Sequence, residues 1–259
     1  MRNKVKPIRS GVWTMHLGLF TASITLLTII FHRTMGLDTL VALNLFILSF
    51  VTAGFVFFLG IFTLTKVWKH GKPGGSNALM GMLVAVVLLM WPLIILHISS
   101  NYPAINDITT DLSDPPQFVM LHKNRPPGTN SLTYPGEILA AQQREAYKNI
   151  NSLQFNRSSE EILKLVKLTL LNMNMSVVGV MNVDNTEFDY WQIEAIDRTS
   201  FIGFIDDVVV RVKQTNDKSV VDIRSLSRYG KFDLGCNAGR IEKFQQELIS
   251  KVLSTVPTA

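Results

Sequence analysis

Three long apolar stretches occupy the first hundred residues of the chain. They run over residues 11–31, 39–65 and 78–98, and none contains Lys, Arg, Asp or Glu. A helix needs about 20 residues to cross a hydrocarbon core of about 30 Å. The first stretch exceeds the usual 7 to 15 apolar residues of a signal peptide and has no small-residue cleavage site before Arg33. The pattern predicts a three-helix transmembrane anchor over residues 1–98.

The pattern changes at Ser99, where polar residues and helix breakers become frequent. Asp114-Pro115-Pro116 and Arg125-Pro126-Pro127-Gly128 favour extended or turn conformations. Apolar residues are still present, which a pure linker would lack; they include Ile105, Ile108, Phe118, Val119 and Leu121. We therefore predict that residues 99–156 form an extended segment without a helix, which packs on a folded domain.

Regular structure is predicted again over residues 157–259. Ser158-Ser159-Glu160-Glu161 has the pattern of a capping box and begins a helix that ends near Met173. Four runs with strand character follow, over residues 176–183, 188–197, 207–214 and 219–227. A second helix covers about residues 237–255, with Ile241, Phe244, Leu248 and Val252 on one side. The fold class is therefore three transmembrane helices followed by an α+β domain, in which two helices flank an antiparallel four-strand meander.

The last two predicted strands allow a prediction of register. A loop centred on Asn216-Asp217 places Arg211 opposite Asp222 and Val210 opposite Ile223. Side chains alternate between the two faces of a strand. The face that the helices cover is therefore expected to carry Val210, Val212, Val221 and Ile223. Arg211, Asp222 and Arg224 are then expected on the other face, which is charged.

Charge is distributed unevenly between the two halves. Residues 1–98 contain eight Lys and Arg against the single acid Asp38, which leaves 17 basic and 19 acidic residues for the rest of the chain. The net charge of +5 therefore comes from the anchor. A nucleic-acid-binding domain needs a basic excess to neutralise phosphates, so this class of function is excluded for residues 99–259.

Basic residues also predict the orientation, because Lys and Arg in short loops stay on the cytoplasmic side. Four precede the first helix and three (Lys66, Lys69, Lys72) separate the second from the third, whereas only Arg33 lies between the first two. We predict a multi-pass protein of the bacterial plasma membrane, with a cytoplasmic N-terminus and a periplasmic C-terminal domain. The only cysteine, Cys236, excludes an internal disulfide.

Several motifs resemble those of a known family. They are Ile105-Asn-Asp-Ile-Thr-Thr-Asp111 with Asp114-Pro-Pro116, Gln143-Arg-Glu-Ala-Tyr147, Gly203-Phe-Ile-Asp-Asp-Val-Val-Val-Arg211, and Asp222-Ile-Arg-Ser-Leu-Ser-Arg228 with the glycines and polar residues that follow it. Over residues 101–255 the chain resembles the family known as domain of unknown function 1499. The resemblance implies a bacterial envelope or plastid protein and implies no activity.

The densest polar cluster lies between the last strand and the last helix. A helix N-terminus favours anions, so in one interpretation a carboxylate or phosphate ligand binds at Arg224, Ser227, Arg228, Lys231, Asn237 and Arg240. In the alternative interpretation, which we favour because structural ion pairs are commoner than anion sites, the cluster is structural. Asp233 or Asn237 then caps the helix, while the arginines, with Arg211, form ion pairs with Asp206, Asp207 and Asp222.

Catalytic chemistry has little support in the residues. A Cys236 thiolate at a helix start needs a base, and the only histidine of residues 99–259 is His122. Asp206 and Asp207 are adjacent in a strand and so point to opposite faces. No catalytic residue, metal site or cofactor is predicted.

Three functions remain open. The first is a non-enzymatic envelope protein whose outer domain binds a partner protein or an anionic ligand, while the helices contact the lipid bilayer and form oligomers. The second is an envelope hydrolase or transferase with its site near Arg228–Arg240. The third is a scaffold that acts through its helices alone, for which residues 99–259 are dispensable.

Overall fold

The computed structural model describes Lys6 and residues 8–184, 189–216 and 218–255. It contains a helical unit, which comprises the described residues up to Ile98 together with Phe201–Gly203, and a sheet-containing unit, which comprises the other described residues from Ser99. Residues 185–188 and Asp217, which belong to predicted turns and to the start of a predicted strand, lie outside the described residues.

The helical unit consists of α1 (Arg9–Thr34), α2 (Thr39–His70) and α3 (Gly75–Ser99). All three are long and apolar enough to cross a membrane, and each extends beyond its predicted range. Asp38 caps α2 by accepting a hydrogen bond from the Leu40 N–H at 2.8 Å. The predicted number of apolar helices is therefore confirmed.

Small residues and hydroxyl groups join the helices. A Cβ atom at Gly81 of α3 would collide with the carbonyl oxygen of Thr14 in α1, and Gly60 of α2 lies against Met82. Thr63 Oγ1 of α2 donates to Ser10 Oγ of α1 at 2.9 Å. Such close approach and interhelical hydrogen bonding are typical of membrane helix pairs.

Within its described residues, the sheet-containing unit has six strands, three α-helices and a short 3₁₀ turn. In chain order they are β1 (Asp107–Thr109), the 3₁₀ turn (Leu121–Asn124), α4 (Glu137–Ala146), β2 (Leu153–Phe155), α5 (Ser159–Asn172), β3 (Ser176–Asp184), β4 (Asp189–Arg198), β5 (Ile205–Thr215), β6 (Lys218–Ser227) and α6 (Cys236–Ser254). The strand order in the antiparallel sheet is β1-β6-β5-β4-β3, and β2 also pairs with β6.

The meander of β3 to β6 agrees with the prediction, but the sheet has six strands and not four. β1 and β2 are three residues each and lie in the segment predicted to be extended, where only pairing with β6 defines them as strands. α4 also lies in that segment and corrects the prediction that it contains no helix. The frequent Pro and Gly residues before Glu137 obscured the ten good helix-forming positions that follow.

Alternation gives the sheet two chemically different faces. The helix face, which α5 and α6 cover, is mostly apolar and forms the main core through Ile193, Val208, Val210, Val212, Val221 and Ile223. The charged face carries Asp207, Arg211, Asp222, Arg224 and Arg228. The observed pairing of β5 with β6 places Arg211 opposite Asp222 and Val210 opposite Ile223, so the predicted register is confirmed.

Half of the predicted capping box forms at the start of α5. Ser158 Oγ accepts a hydrogen bond from the Glu161 N–H at 3.3 Å. The Glu161 carboxylate instead pairs with Arg157, which also donates to the Val252 carbonyl near the end of α6 at 2.7 Å. Arg157 therefore links the start of α5 to the end of α6 and holds both helices on the helix face.

Candidate functional site

Among the described residues, Arg224 is the largest fully buried side chain, and it lies on the charged face. Its Nε and Nη2 atoms donate to the two carboxylate oxygens of Asp107 at 2.9 and 2.7 Å. The guanidinium carbon is 5.0 Å from the ring centroid of Phe118 and 5.3 Å from that of Tyr134. Burial and the charge of Asp107 raise the pKa of Tyr134 to about 12, so this ring stays neutral at physiological pH.

Backbone carbonyls complete the surroundings of Arg224. Nη1 donates to the Pro116 carbonyl at 3.0 Å, and Nη2 donates to the Leu132 carbonyl at 2.9 Å. Both carbonyls belong to the irregular segment that precedes α4, residues 100–136, in which β1 and the 3₁₀ turn are the only regular elements. Arg224 therefore joins three separate parts of that segment to the sheet.

Arg211 holds a neighbouring part of the same segment. It donates to Asp222 at 2.9 Å, to Asp111 at 3.0 Å and to Asp114 at 2.9 Å. Partial burial opposes ionisation of Asp114, but the hydrogen bond from Lys213 and the charge of Arg211 outweigh it and lower the pKa of the Asp114 carboxyl below its ordinary value. The positive charge of Arg211 is thus compensated by carboxylates of the same unit.

Asp207 is shared by two arginines. Arg228 donates from Nε and Nη2 to Asp207 Oδ1 at 2.9 and 2.7 Å, and Arg125 Nε lies 2.9 Å from Oδ2. Burial raises the pKa of Asp207, while the two guanidinium groups act in the opposite direction. Arg125 lies in the irregular segment, so this cluster is a third attachment between the segment and the charged face.

A separate polar cluster lies on the helix face beside the start of α6. Arg240 donates to Asp197 and Asp206, both at 2.6 Å, and to Ser225 Oγ at 2.9 Å. Asn237 accepts a hydrogen bond from Arg240 and donates to Ser227 Oγ at 3.0 Å. Asp206 and Asp207 therefore serve different faces, as their adjacent positions in β5 require.

The N-terminus of α6 already contacts a carboxylate of the chain itself. Asp233 accepts hydrogen bonds from the N–H groups of Gly235 at 3.0 Å and Asn237 at 2.8 Å. Leu234, between Asp233 and Gly235, has a φ of 53°, which is rare for a leucine. Burial raises the pKa of the Asp233 carboxyl.

The six residues of the predicted anion site are divided between these places. Ser227, Asn237 and Arg240 come together on the helix face, whereas Arg224 and Arg228 point to the charged face. Lys231 is exposed in the loop before α6. The buried arginines of the two faces all contact carboxylates of the same unit; they are Arg211, Arg224, Arg228 and Arg240.

Residues considered for catalysis are also separated. Cys236 begins α6 on the helix face, and partial burial together with the carboxylates of Asp206 and Asp233 raises the pKa of its thiol. His122 is exposed in the 3₁₀ turn, whose Leu121 packs on the charged face. A thiolate nucleophile is thus disfavoured at Cys236. Among the described residues, no group of three or more His, Cys, Asp or Glu is placed to hold a metal ion.

Two buried residues of the structure were not identified from the sequence. Glu194 of β4 accepts hydrogen bonds from the consecutive N–H groups of Val119, Met120 and Leu121, at 2.6 to 3.1 Å. Gln143 of α4 donates to the Thr109 carbonyl at 2.6 Å and accepts from the Thr109 N–H at 3.0 Å. A charged residue between apolar strand positions was the available signal for Glu194, and Gln143 begins one of the motifs that resemble the family.

Comparison with known proteins agrees with that resemblance. The family model described as "Protein of unknown function (DUF1499)" matches residues 107–248. This range begins at β1 and ends within α6, and it includes every arginine–carboxylate pair of the two faces. No curated protein is similar enough to match the chain.

Proposed function

Because the chain belongs to the DUF1499 family, whose description names no function, we propose a function from the geometry of the sheet. The protein is a membrane-anchored, non-catalytic interaction protein. Its sheet-containing unit binds an extended segment of a partner protein along strand β3. The open edge of β3 is the observation that carries this proposal.

The two edges of the sheet differ. At one edge, β1 and β2 cover the outer side of β6, and the Gln143 amide in turn bonds to the backbone of β1. At the other edge, β3 pairs with β4, and no other strand of the described residues pairs with it. An open edge presents unpaired N–H and C=O groups, to which an extended peptide can add as a further strand.

The side chains of β3 favour such an addition. Residues 176–184 contain no Lys, Arg or Pro, which commonly protect edge strands. Val178 and Val180 are about two-fifths exposed. A bulge interrupts the register between Val177 and Gly179, but the pairs from Gly179 to Asp184 are continuous. The six-residue stretch from Gly179 is therefore a regular edge, suited to an extended partner with alternating apolar side chains.

The proposal includes the location of the two units. The helices cross the bacterial plasma membrane with the N-terminus on the cytoplasmic side and the sheet-containing unit in the periplasm. Its support is the distribution of basic residues. Lys6 and Arg9 lie at the start of α1, and Lys66, Lys69 and Lys72 lie at the end of α2 and in the loop that follows it, whereas Arg33, at the end of α1, is the only Lys or Arg near the connection of α1 to α2. An anionic ligand is less well supported as the partner, because the buried arginines already contact carboxylates of the chain.

The test compares Val180→Lys with Leu168→Lys in the full chain. Leu168 is an exposed apolar residue of α5 and so provides a matched control. Partners that copurify in detergent are quantified, and hydrogen exchange of the backbone amides of β3 is measured with and without the partner. Val180→Lys is expected to lose the partner, and Leu168→Lys to retain it. Equal retention by both variants, or unchanged exchange in β3 on binding, would refute strand addition.

A further inference from the structure

Basic side chains without acidic neighbours collect at one end of the helical unit. The start of α1 lies beside the end of α2, because Thr63 bonds to Ser10 and the Ile8 N–H donates to the Pro73 carbonyl at 2.8 Å. This arrangement brings together Lys6, Arg9, Lys66, Lys69 and Lys72, which are all exposed. Asp38, the one acid of residues 1–98, caps the opposite end of α2. None of the five cations forms a salt bridge within the described part of the chain.

Two apolar grooves open at the same end. One, of about 320 Å³, is lined by Ile61, Leu64, Thr65, Trp68 and Lys69. The other, of about 260 Å³, is lined by Lys6, Arg9, Val12 and Trp13. Each groove therefore combines an apolar wall, a tryptophan and at least one cation.

This combination matches the parts of a phospholipid. An acyl chain fits an apolar wall that continues into the exposed surface of a helix long enough to cross a membrane. Tryptophan rings favour the headgroup level, and Trp68 is 91% exposed. The Lys66 ammonium lies 4.3 Å from the ring centroid of Phe62, which keeps this cation near the apolar surface.

The uncompensated charge decides which phospholipid binds. Basic clusters beside membrane helices attract anionic headgroups, whereas a zwitterionic headgroup brings its own cation close to the lysines. We propose that the two grooves and the five cations form a binding site for an anionic phospholipid, whose phosphodiester contacts Arg9 and Lys69 and whose acyl chains lie in the grooves. The site is independent of the interaction proposed for β3.

The experiment measures lipid binding to the full chain in uncharged detergent. Phosphatidylglycerol, phosphatidylcholine and soluble glycerol phosphate are added separately, and bound lipid is counted by native mass spectrometry while the thermal midpoint is recorded. The chain is expected to retain phosphatidylglycerol and to gain thermal stability with it, but not with the other two. In the variant K6Q/R9Q/K66Q/K69Q, the apparent affinity is expected to fall at least tenfold.

A charge-matched control separates a site from general attraction. The variant K123Q/K164Q/K167Q/K243Q removes four exposed charges from the sheet-containing unit and should bind as the parent does. If the groove variant is poorly folded, the pairs K6Q/R9Q and K66Q/K69Q are tested separately, and each should weaken binding.

Equal binding of phosphatidylcholine, equal loss in the control, or unchanged binding in the groove variants would overturn the proposal. An equal effect of glycerol phosphate would overturn the lipid as ligand. Val180→Lys, which tests the β3 interaction, should leave lipid binding unchanged.

Discussion

The two faces of the sheet use the same strands but different chemistry. Ile223 points to the helix face, where it contacts an apolar core that α5 and α6 cover. Arg224, the next residue, points to the charged face, where it bonds to Asp107 and to two backbone carbonyls. Both side chains are buried. The difference therefore lies in what covers each face: regular helices on one side and an irregular segment on the other.

This difference shows how an irregular segment is held in one place. Helices present apolar stripes, whose burial is favourable but not directional. A segment rich in Pro and Asp lacks such a stripe, and its backbone groups need specific partners. Arg224, Arg211 and Glu194 provide them through directional bonds to carbonyls, carboxylates and N–H groups. The charged face thus determines the position of the irregular segment, while the helix face supplies most of the apolar burial.

The largest effect is expected for Arg224→Ala. Removing the guanidinium leaves the Asp107 carboxylate buried without its partner, which typically costs about 3–5 kcal/mol. The free energy of unfolding of the sheet-containing unit, measured by pulse proteolysis of the full chain in detergent, should fall by about 4 kcal/mol. Arg224→Lys should rescue little, because an ammonium cannot form the bidentate contact.

A double variant separates the effect of the lost ion pair from the effect of releasing the irregular segment. Replacing Arg224 with Met and Asp107 with Leu removes both charges, so the cost should be smaller than that of Arg224→Ala alone. Proteolysis within residues 110–134 should nevertheless increase, since the carbonyls of Pro116 and Leu132 lose their donors. Unchanged protection of this segment in the double variant would contradict a positioning role for the charged face.

The second effect is expected for Ile223→Ala on the opposite face. Truncating a fully buried isoleucine leaves a cavity and costs about 2–5 kcal/mol, and we expect about 3 kcal/mol here. Ile223→Val should cost only about 1 kcal/mol, since one methylene is lost. This graded response to size should distinguish the helix face from the charged face, where the conservative change at Arg224 gives little rescue. A loss as large for Ile223→Val as for Ile223→Ala would contradict apolar packing there.

The helix face was largely predictable from the sequence, because its information is local. Alternating valines in β5 and β6, the apolar stripe of α6 and the Ser158 cap each determine a nearby structure. Even the pairing of Arg211 with Asp222 followed from a short loop. The three apolar helices were predicted for the same reason, since length and composition suffice.

The charged face was predictable only in part, because its contacts join distant residues. Arg224 bonds to Asp107, 117 positions away, and Glu194 bonds to N–H groups more than 70 positions away. No local pattern indicates such partners. β1 and β2 were missed for the same reason, since each exists only by pairing with β6. The predicted anion site grouped Arg224 and Arg228 with Asn237 because these residues are close in sequence. It did not take into account that successive side chains of β6 point to opposite faces of the sheet.

A smaller effect is expected at the start of α5, which packs on the helix face. Ser158→Ala removes the acceptor of the Glu161 N–H, and loss of such a cap costs about 1 kcal/mol. Ser250→Ala, at an exposed position of α6, is the matched control and should change stability by less than about 0.5 kcal/mol. An equal loss in both variants would show that the cap does not contribute.

The smallest effect is expected from pH, and it should have opposite signs at two carboxyls. The pKa of Asp233, buried beside α6, is raised, so its stabilising contribution is present at low pH and is lost as pH rises through that folded-state pKa. The pKa of Asp114, on the charged face, is lowered, so its contribution is present above the ordinary pKa and is lost as pH falls through the folded-state value.

Thermal midpoints of the parent, Asp233→Asn and Asp114→Asn, measured from about pH 3 to about pH 7, check these signs. Between the ordinary and the folded-state pKa of Asp233, only the folded chain holds the extra proton. The midpoint of the parent minus that of Asp233→Asn should therefore increase as the solution becomes acidic. The same difference for Asp114→Asn should decrease, by a small amount, because this carboxyl is largely exposed to solvent. If both differences in thermal midpoint changed in the same direction with pH, burial would not dominate the pKa of Asp233, and the two carboxyls would respond alike.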